Sequence, residues 1–310
     1  MKYTIAFYNL ENLFDYRNDI KTLDDDFLPN AEKQWTKRRY YRKIERVSRV
    51  ISQIGKSSHE TSPVIVGLAE VENKKVLHDL VNSKYLKQEN YRYVHFSSLD
   101  ERGIDVALLY NPEIFCLEKS ESHKIKLLDE NGKNDYTRDI LSVRGIMNSE
   151  PICFIVNHWP SRREGIPISE PKRLIAAEKN KEIINHVLQE EPNTKVMVMG
   201  DFNDNPYNAS LKFLEKELQL FNPMATLLSY TKGSLNYRGK WHLFDQILFS
   251  TNFFNTETDK LQFDGANIFD APFLKYDKGR FKGQPVRTYV GDKYKNGYSD
   301  HFPVYVILTL

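Results

Sequence analysis

The sequence predicts an α/β fold, or α+β under schemes that separate mixed sheets. Three observations carry this reading. Short β-rich runs recur from end to end, several are apolar on both faces, and amphipathic segments stand between them. A strand apolar on both faces belongs to a sheet covered on each side. The 310 residues carry 40% hydrophobic and 13% aromatic side chains, enough for a large core and too many for wholesale disorder. With 44 Lys+Arg against 42 Asp+Glu, the net charge of +2 excludes a polycation that binds by bulk charge.

Strands are expected at 4–10, 63–71, 105–110, 151–159, 195–202, 244–250 and 302–310. The first helix is expected over 36–54, where Tyr40, Ile44, Val47, Ile51 and Ile54 recur every three or four residues. Thr36 suits its N-cap and Gly55 its stop. Between Lys33 and Arg49 stand eight Lys/Arg and one acidic residue, Glu45. A solvated helix face is the first reading of that run, and a phosphate-facing stripe the alternative. A second helix is expected over 169–188, with Ser169 as its cap, Pro171 in its first turn, and Leu174, Ala177, Ile184 and Leu188 as its buried stripe. The stretches 15–34, 119–137 and 251–300 read as long irregular segments of the kind that carry binding residues.

Cys116 and Cys153 cannot make a disulfide framework and read as buried structural thiols. No apolar run approaches the roughly 18–20 residues that span a bilayer. The opening MKYTIAFYNLENLFD lacks the features of a signal peptide. The sequence as given therefore points to the cytoplasm, and secretion or a periplasmic location would require a trimmed leader.

Polar residues gather where the strands stop. Asn9 and Glu11 end the first, Glu70 and Glu72 the second, Asn157 and His158 the fourth, and Gly200-Asp201-Phe202-Asn203-Asp204 the fifth. Asp245 lies in the sixth, and Ser299-Asp300-His301 precedes the last. Ligands of α/β sheets bind at the carboxyl ends of strands. Singly, each residue reads as a turn or cap. Together they supply oxygen ligands for a hard divalent cation (Glu70, Asp201, Asp300, Asn9, Asn203) and two imidazoles able to move protons. Zinc spacing, a Walker loop, a dinucleotide fingerprint and a G-x-S-x-G elbow are all lacking. Metal-assisted hydrolysis by an activated water fits this set best.

The segments YNLENLF, GLAEVEN, RGIDVALLY, TRDIL, NHWPSRR, GDFND, WHLFDQIL and GYSDHFPV occur in that order. With them the sequence resembles the endonuclease/exonuclease/phosphatase superfamily, which includes deoxyribonuclease I, abasic-site endonucleases, inositol-polyphosphate 5-phosphatases and bacterial sphingomyelinases. The resemblance implies a four-layer α-β-β-α sandwich of the deoxyribonuclease I type, formed by residues 1–310 as a single domain. It implies a metal, Mg²⁺ with Mn²⁺ or Ca²⁺ as alternatives, on Glu70 helped by Asn9 and Asp300. It implies Asp201 and Asn203 as the pair holding the attacking water and the scissile phosphate. His301 would be general base or phosphate-polarising imidazole, oriented by Asp245, and His158 would assist at a phosphate or leaving oxygen. Arg138 would contact phosphate, with Arg162 or Arg163 doing likewise. Asp105 either orients His158 or is an ordinary strand-end carboxylate, and Glu11 and Asp204 read at least as well as structural residues.

Three function classes follow. The first is a nuclease acting on DNA or RNA, a monomer whose basic helix, Arg162, Arg163 and Lys275–Lys295 loop could meet a phosphate backbone. The second is a phosphatase or phosphodiesterase of small phosphate esters, inositol phosphates or phospholipid headgroups, although no aromatic membrane-facing hairpin stands out. The third, a non-catalytic binding module on the same scaffold, is disfavoured because every expected catalytic position is filled.

Overall fold

The computed structural model describes residues 1–20, 22–56, 61–129 and 131–310. Two six-stranded sheets form its centre. The first runs, from edge to edge, Gln262–Ile268, Val304–Thr309, Lys2–Leu13, Ile65–Val71, Asp105–Tyr110 and Arg92–His95. The second runs Leu220–Phe221, Asp245–Ser250, Lys195–Asp201, Glu150–His158, Ile140–Met147 and Phe115–His123. Each sheet has one parallel pair at its heart: Lys2–Leu13 with Ile65–Val71, and Glu150–His158 with Lys195–Asp201. Their outer neighbours are antiparallel.

Alternation along the strands explains why both faces are apolar. Met197, Met199, Phe154 and Val156 enter the large core that also holds Phe7, Leu68 and Leu108 of the first sheet. Val196, Val198, Cys153 and Ile155 point the other way, into a second cluster with Ile183, Ile184, Leu211 and Leu214. Those last four belong to helices α3 (Ile166–Glu190) and α4 (Ala209–Leu218), which follow α1 (Lys37–Ile51) and α2 (Lys74–Val81) along the chain. Helices α1 and α2 bury Tyr40, Val47, Leu77 and Leu80 with the first sheet's residues. The layers are therefore helix, sheet, sheet, helix, as expected. Gly67 lets the sheets approach: a Cβ there would sit 2.5 Å from the Met199 sulfur.

The expected strands all form, Asp105–Tyr110 with the expected ends and the others with ends shifted by up to three residues. Thr36 caps α1 by accepting the Arg39 amide N–H at 3.4 Å, but the helix ends at Ile51, short of the predicted Ile54. Helix α3 is longer than predicted. Gly165 precedes it, Ser169 lies inside with its hydroxyl on the Gly165 carbonyl, and Pro171 sits within the helix, where it removes one backbone donor. Its buried face is Arg173, Ala176, Ala177, Asn180, Ile183, Ile184 and Val187. Ala177 and Ile184 were in the expected stripe, whereas Leu174 and Leu188 are only half-buried. The face is rotated because a buried arginine and asparagine, invisible to an apolar count, lie at its centre.

Two segments read as irregular contain edge strands, Phe115–His123 and Gln262–Ile268. Their outward side chains are polar, which hides the alternation. Lys21 and Glu130, within 15–34 and 119–137, lie outside the described residues. The basic run on α1 is neither a solvated face nor a stripe toward phosphate along its whole length. Lys43 is buried and donates to the Thr288 hydroxyl at 2.6 Å and the Tyr298 carbonyl at 2.7 Å. Arg39 and Arg46 lie over the rings of Tyr294 and Tyr298, at 4.4 and 4.9 Å. This face secures the segment 286–298; Lys37, Arg38 and Arg42 remain exposed. None of the described helices is long and apolar enough to cross a membrane.

The two cysteines part company. Cys153 is buried and its thiol is pushed up to about 12 by burial, whereas Cys116 is exposed on the edge strand and corrects the expectation that both are interior. Thiolate is the reactive form. A thiol reagent at pH 8 should therefore label the folded protein once, at Cys116, with Cys153 reacting only after denaturation. Peptide mapping by mass spectrometry reads this, and equal labelling of both would contradict the burial.

Candidate active site

The two parallel pairs deliver their carboxyl ends to the same edge of the sandwich. In the second sheet Asp201 lies between His158 on its parallel neighbour and Asp245 on its antiparallel one, both directly in register. In the first sheet the ladder between Lys2–Leu13 and Ile65–Val71 is interrupted after Asn9 and Ala69. The chain there enters left-handed backbone at Glu11, Asn12 and Glu70, with φ of 52°, 54° and 63°, and Asn203 does the same at 51°. Non-glycine residues adopt this region at a cost, and such positions concentrate at functional sites.

The Asp201 carboxylate is the hub. Its Oδ2 accepts from Asn9 Nδ2 at 2.9 Å and lies 3.8 Å from His158 Nε2 and 4.0 Å from His301 Nε2. Its Oδ1 accepts the Asn203 amide N–H at 2.9 Å. His158 Nε2 is also 3.9 Å from Glu70 Oε1, and His301 Nε2 is 3.8 Å from Asp300 Oδ1. Asp245 holds His301 through a 2.6 Å contact to Nδ1. The structure thus brings together Asn9, Glu70, His158, Asp201, Asn203, Asp245, Asp300 and His301, eight of the residues singled out from the sequence.

Burial and neighbours set the protonation states. Burial, reinforced by Asp245 and opposed by His301, pushes Asp201 up to about 6. Burial works against charging both imidazoles. At His301 it is outweighed by Asp245, Asp300 and Asp201, which hold the ring well above the usual histidine range. At His158 burial is joined by Arg138, Arg102, His301 and Arg163, and the ring is held well below that range. Asp300 is partly covered, which raises it, but His301 and Arg287 outweigh that and keep it low.

Other expected residues stand further back. Arg162 spends its donors on the Asn203 carbonyl at 2.7 Å, Asp204 at 2.6 Å and Asn208 at 3.1 Å, which places it behind the Asn203 turn. Arg138 is buried at the edge of the site, bonded to Asp100 at 3.2 Å and the Trp159 carbonyl at 2.7 Å. Asp105 binds His95 at 3.1 Å and the Ser98 amide at 3.0 Å, so it orients a different histidine from His158. Glu72 turns away to the Asp15 amide. Glu11 accepts the Thr288 amide at 2.6 Å beside Lys43 and Arg287, tying the segment 286–298 to the first strand. Sequence reasoning missed Arg102, which touches Asn12 and lies 3.8 Å from Glu70, and Arg287, 2.6 Å from Asp300. Arg102 begins the RGIDVALLY run, and Arg287 lies within the Lys275–Lys295 loop, where nothing marks it out from the other basic residues.

Asp201, Asp245 and His301 have ligand atoms within 4.8 Å of one another, close enough to consider a metal. However, the Nδ1 of His301 is already occupied by Asp245, so this trio reads as a hydrogen-bonded relay. Glu70, Asp300 and Asn9 offer only oxygen, with no thiol among these groups, and suit a hard cation. Glu70 and Asp300 flank the same hub, Glu70 through His158 and Asp300 through His301.

Two stacked mixed sheets with acidic oxygens and paired imidazoles at one edge define a class of hydrolases acting on phosphate esters. The chain belongs to the Endonuclease/Exonuclease/phosphatase family, whose sequence profile matches residues 4–310. Among solved structures it is similar to a family member from Bacteroides thetaiotaomicron, with a TM-score of 0.62 at 17% identity, covering 99% of this chain and 98% of that one. It is similar to truncated TDP2 of Caenorhabditis elegans, TM-score 0.61 at 14% identity over 100% and 98% of the two chains. It is also similar to a mannosyl-6-phosphatase of Bacteroides thetaiotaomicron VPI-5482, TM-score 0.59 at 17% identity over 99% and 100%. At these identities the likeness is one of fold. The curated proteins contain no sequence match to the chain.

Asp204 is the structural anchor beneath the site. It is buried with Arg173 at 2.7 Å and Arg162 at 2.6 Å, and it accepts from the Ser210 hydroxyl at 2.7 Å. Removing one partner of a buried ion pair costs about 3–5 kcal/mol. Asp204→Ala should lose stability of that order in urea unfolding, and a loss below about 1 kcal/mol would deny it the anchoring role.

Proposed function

We propose that this protein is a metal-dependent phosphodiester hydrolase, a nuclease acting on DNA or RNA, with residues 1–310 working as one domain. The observation that carries the hydrolytic part is the Asp201 hub, a carboxylate of raised affinity for protons placed between two imidazoles of opposite charge state. Glu70, with Asn9 and Asp300, would hold the cation, Mg²⁺ first and Mn²⁺ or Ca²⁺ as alternatives. The cation when bound supplies Lewis-acid polarisation of the phosphate and offsets charge on the leaving oxygen.

The chain's own groups divide the remaining work. Asp201, titrating near 6, is the base that takes the proton of the attacking water. His301 is kept protonated by Asp245 and so has no free lone pair to act as base. It donates from Nε2 to a non-bridging oxygen as charge builds in the in-line transition state. His158, held neutral, hydrogen-bonds the phosphate or the leaving oxygen. Asn203 gives one amide hydrogen to the Trp159 carbonyl at 3.0 Å and has a second for the phosphate. Arg138 adds positive charge at the margin.

Cavities on both sides of the hub favour an extended substrate. One, of about 420 Å³, reaches Asp300 and Arg287 and is lined by Tyr237, Tyr276, Phe281 and Arg238. The other, of about 260 Å³, is lined by Arg102, Arg138 and Arg163. A polymer with its scissile bond over Asp201 would fill both, with rings to stack on and guanidinium groups for phosphate. The second reading, a phosphatase of small esters, draws on the structural likeness to the mannosyl-6-phosphatase.

Asp201→Ala and His301→Ala should each lower kcat by roughly 10³-fold or more with an unchanged circular dichroism spectrum. EDTA should abolish turnover and Mg²⁺ restore it. Near-wild-type turnover in either variant would overturn the assignment. The substrate is read from one panel of plasmid, single-stranded DNA, RNA, inositol phosphates, sugar phosphates and sphingomyelin. Nuclease activity that falls steeply with salt supports the first reading. Salt-indifferent release of phosphate from monoesters alone would replace it with the second.

A further inference from the structure

We propose that a groove along the C-terminal half of α1, formed by Arg42, Arg46 and Arg49, holds the phosphate backbone of a nucleic-acid strand away from the bond that is cut. This rests on the nuclease reading and names where the substrate beyond the scissile bond is gripped.

The groove has a volume of about 350 Å³, and Tyr85, Asn296 and Tyr298 complete its walls. It shares no lining residue with the two cavities beside the hub. Positions 42, 46 and 49 stand four and three residues apart, so the three arginines occupy one face of the helix. They span about 10 Å along its axis, further than a single phosphate group extends. Arg46 lies over the Tyr298 ring at 4.9 Å and Arg49 over the Phe273 ring at 4.8 Å, so separate rings keep these two guanidinium groups from converging on one point.

Their charge is uncompensated. The one acidic residue lining the groove, Glu45, lies 3.9 Å from Lys84, and none of the three arginines pairs with a carboxylate among the described residues. Arg46 donates from Nε to the Asn296 side-chain oxygen at 3.1 Å, a neutral partner. Like charges at these spacings work against the helix. The helix dipole favours a cation in the last turn, which accounts for Arg49 but not for Arg42 or Arg46. Lys295, exposed and next to Asn296 in the chain, adds a further positive charge. A concave surface of one sign focuses potential, and a string of phosphates answers several cations spread along a line. The half-buried Tyr85 ring is available to a base. An anionic membrane fits less well, because no exposed apolar side chain lines the groove to enter a bilayer.

The double variant Arg42→Ala/Arg49→Ala removes two exposed arginines and leaves Arg46 on Tyr298. Anisotropy of a labelled oligothymidylate of about 30 nucleotides, in EDTA to stop turnover, should show Kd raised roughly tenfold. The slope of log Kd against log salt should fall by about 1.4, the share of two contacts to a single strand. Arg42→Lys/Arg49→Lys should keep that slope. Lys212→Ala/Lys216→Ala, on α4 in the opposite outer layer, should change Kd by less than about twofold. With Mg²⁺, the ratio of kcat/KM for the oligonucleotide to that for thymidine dinucleotide should also fall roughly tenfold in the alanine variant. Because this is a ratio within one variant, a general loss of activity cancels. Absence of wild-type binding, a loss no greater than in the lysine control, or a slope lost equally in the Arg42→Lys/Arg49→Lys variant would each overturn the proposal. So would binding to phosphatidylserine vesicles that depends on these arginines while DNA binding does not. Arginine-dependent binding without cleavage of the oligonucleotide would keep the groove and sink the nuclease reading; cleavage with Kd and ratio indifferent to the arginines would do the reverse.

Discussion

Charge compensation at one buried sheet edge is the constraint on which the rest of the structure depends. Glu11, Asp201 and Asp245 are buried, and Glu70 and Asp300 are largely covered. Unpaired, such a group costs several kcal/mol. Each therefore has a counter-group, some of them shared: Lys43 and Arg287 for Glu11, Arg287 again for Asp300, Arg102 for Glu70, and His301 for both Asp201 and Asp245. These counter-groups come from α1, the segment before the 105–110 strand, and the approach to the last strand. Electrostatic need at the edge is what draws distant parts of the chain together.

Topology makes the edge available. A parallel pair ends both of its strands on the same side, so two such pairs, one per sheet, supply four carboxyl ends to one rim. The interrupted ladder after Asn9 and Ala69 then frees Glu11, Asn12 and Glu70 from sheet pairing and turns their side chains to the rim. The left-handed backbone there is sustained by specific bonds, including the Asn12 amide to Glu70 at 2.7 Å and the Glu11 amide to Asn9 at 3.0 Å. Strain in the backbone is offset by hydrogen bonds that also fix the carboxylates.

Much of this was legible in the sequence because strand cores and strand ends have local signatures. Asn9, Glu70, His158, Asp201 and His301 stand beside apolar runs, and the runs form the strands. What stayed hidden is non-local or polar. The edge strands 115–123 and 262–268 present charge to solvent, so their alternation is masked. The buried face of α3 centres on Arg173 and Asn180, whose partners Asp204 and Asn157 lie on other elements. The basic run of α1 looked like a solvent face because its aromatic partners, Tyr294 and Tyr298, are about 250 residues away in sequence. Arg162 and Arg163 are adjacent in sequence, and only the fold shows that one braces a turn while the other faces a cavity.

The two histidines show how far environment outweighs residue type. Both are buried at the same rim, within 4 Å of the same Asp201 oxygen. Burial alone would leave both neutral. A carboxylate at 2.6 Å reverses this for His301, while arginines on the other side reinforce it for His158. The hub thus has a cationic donor on one flank and a neutral imidazole on the other. Environments that push like groups apart assign acid and base roles. Asp201, near 6 and between them, is the group on which the proposed base role falls, because the partners that the fold gives each ring leave neither imidazole suited to it.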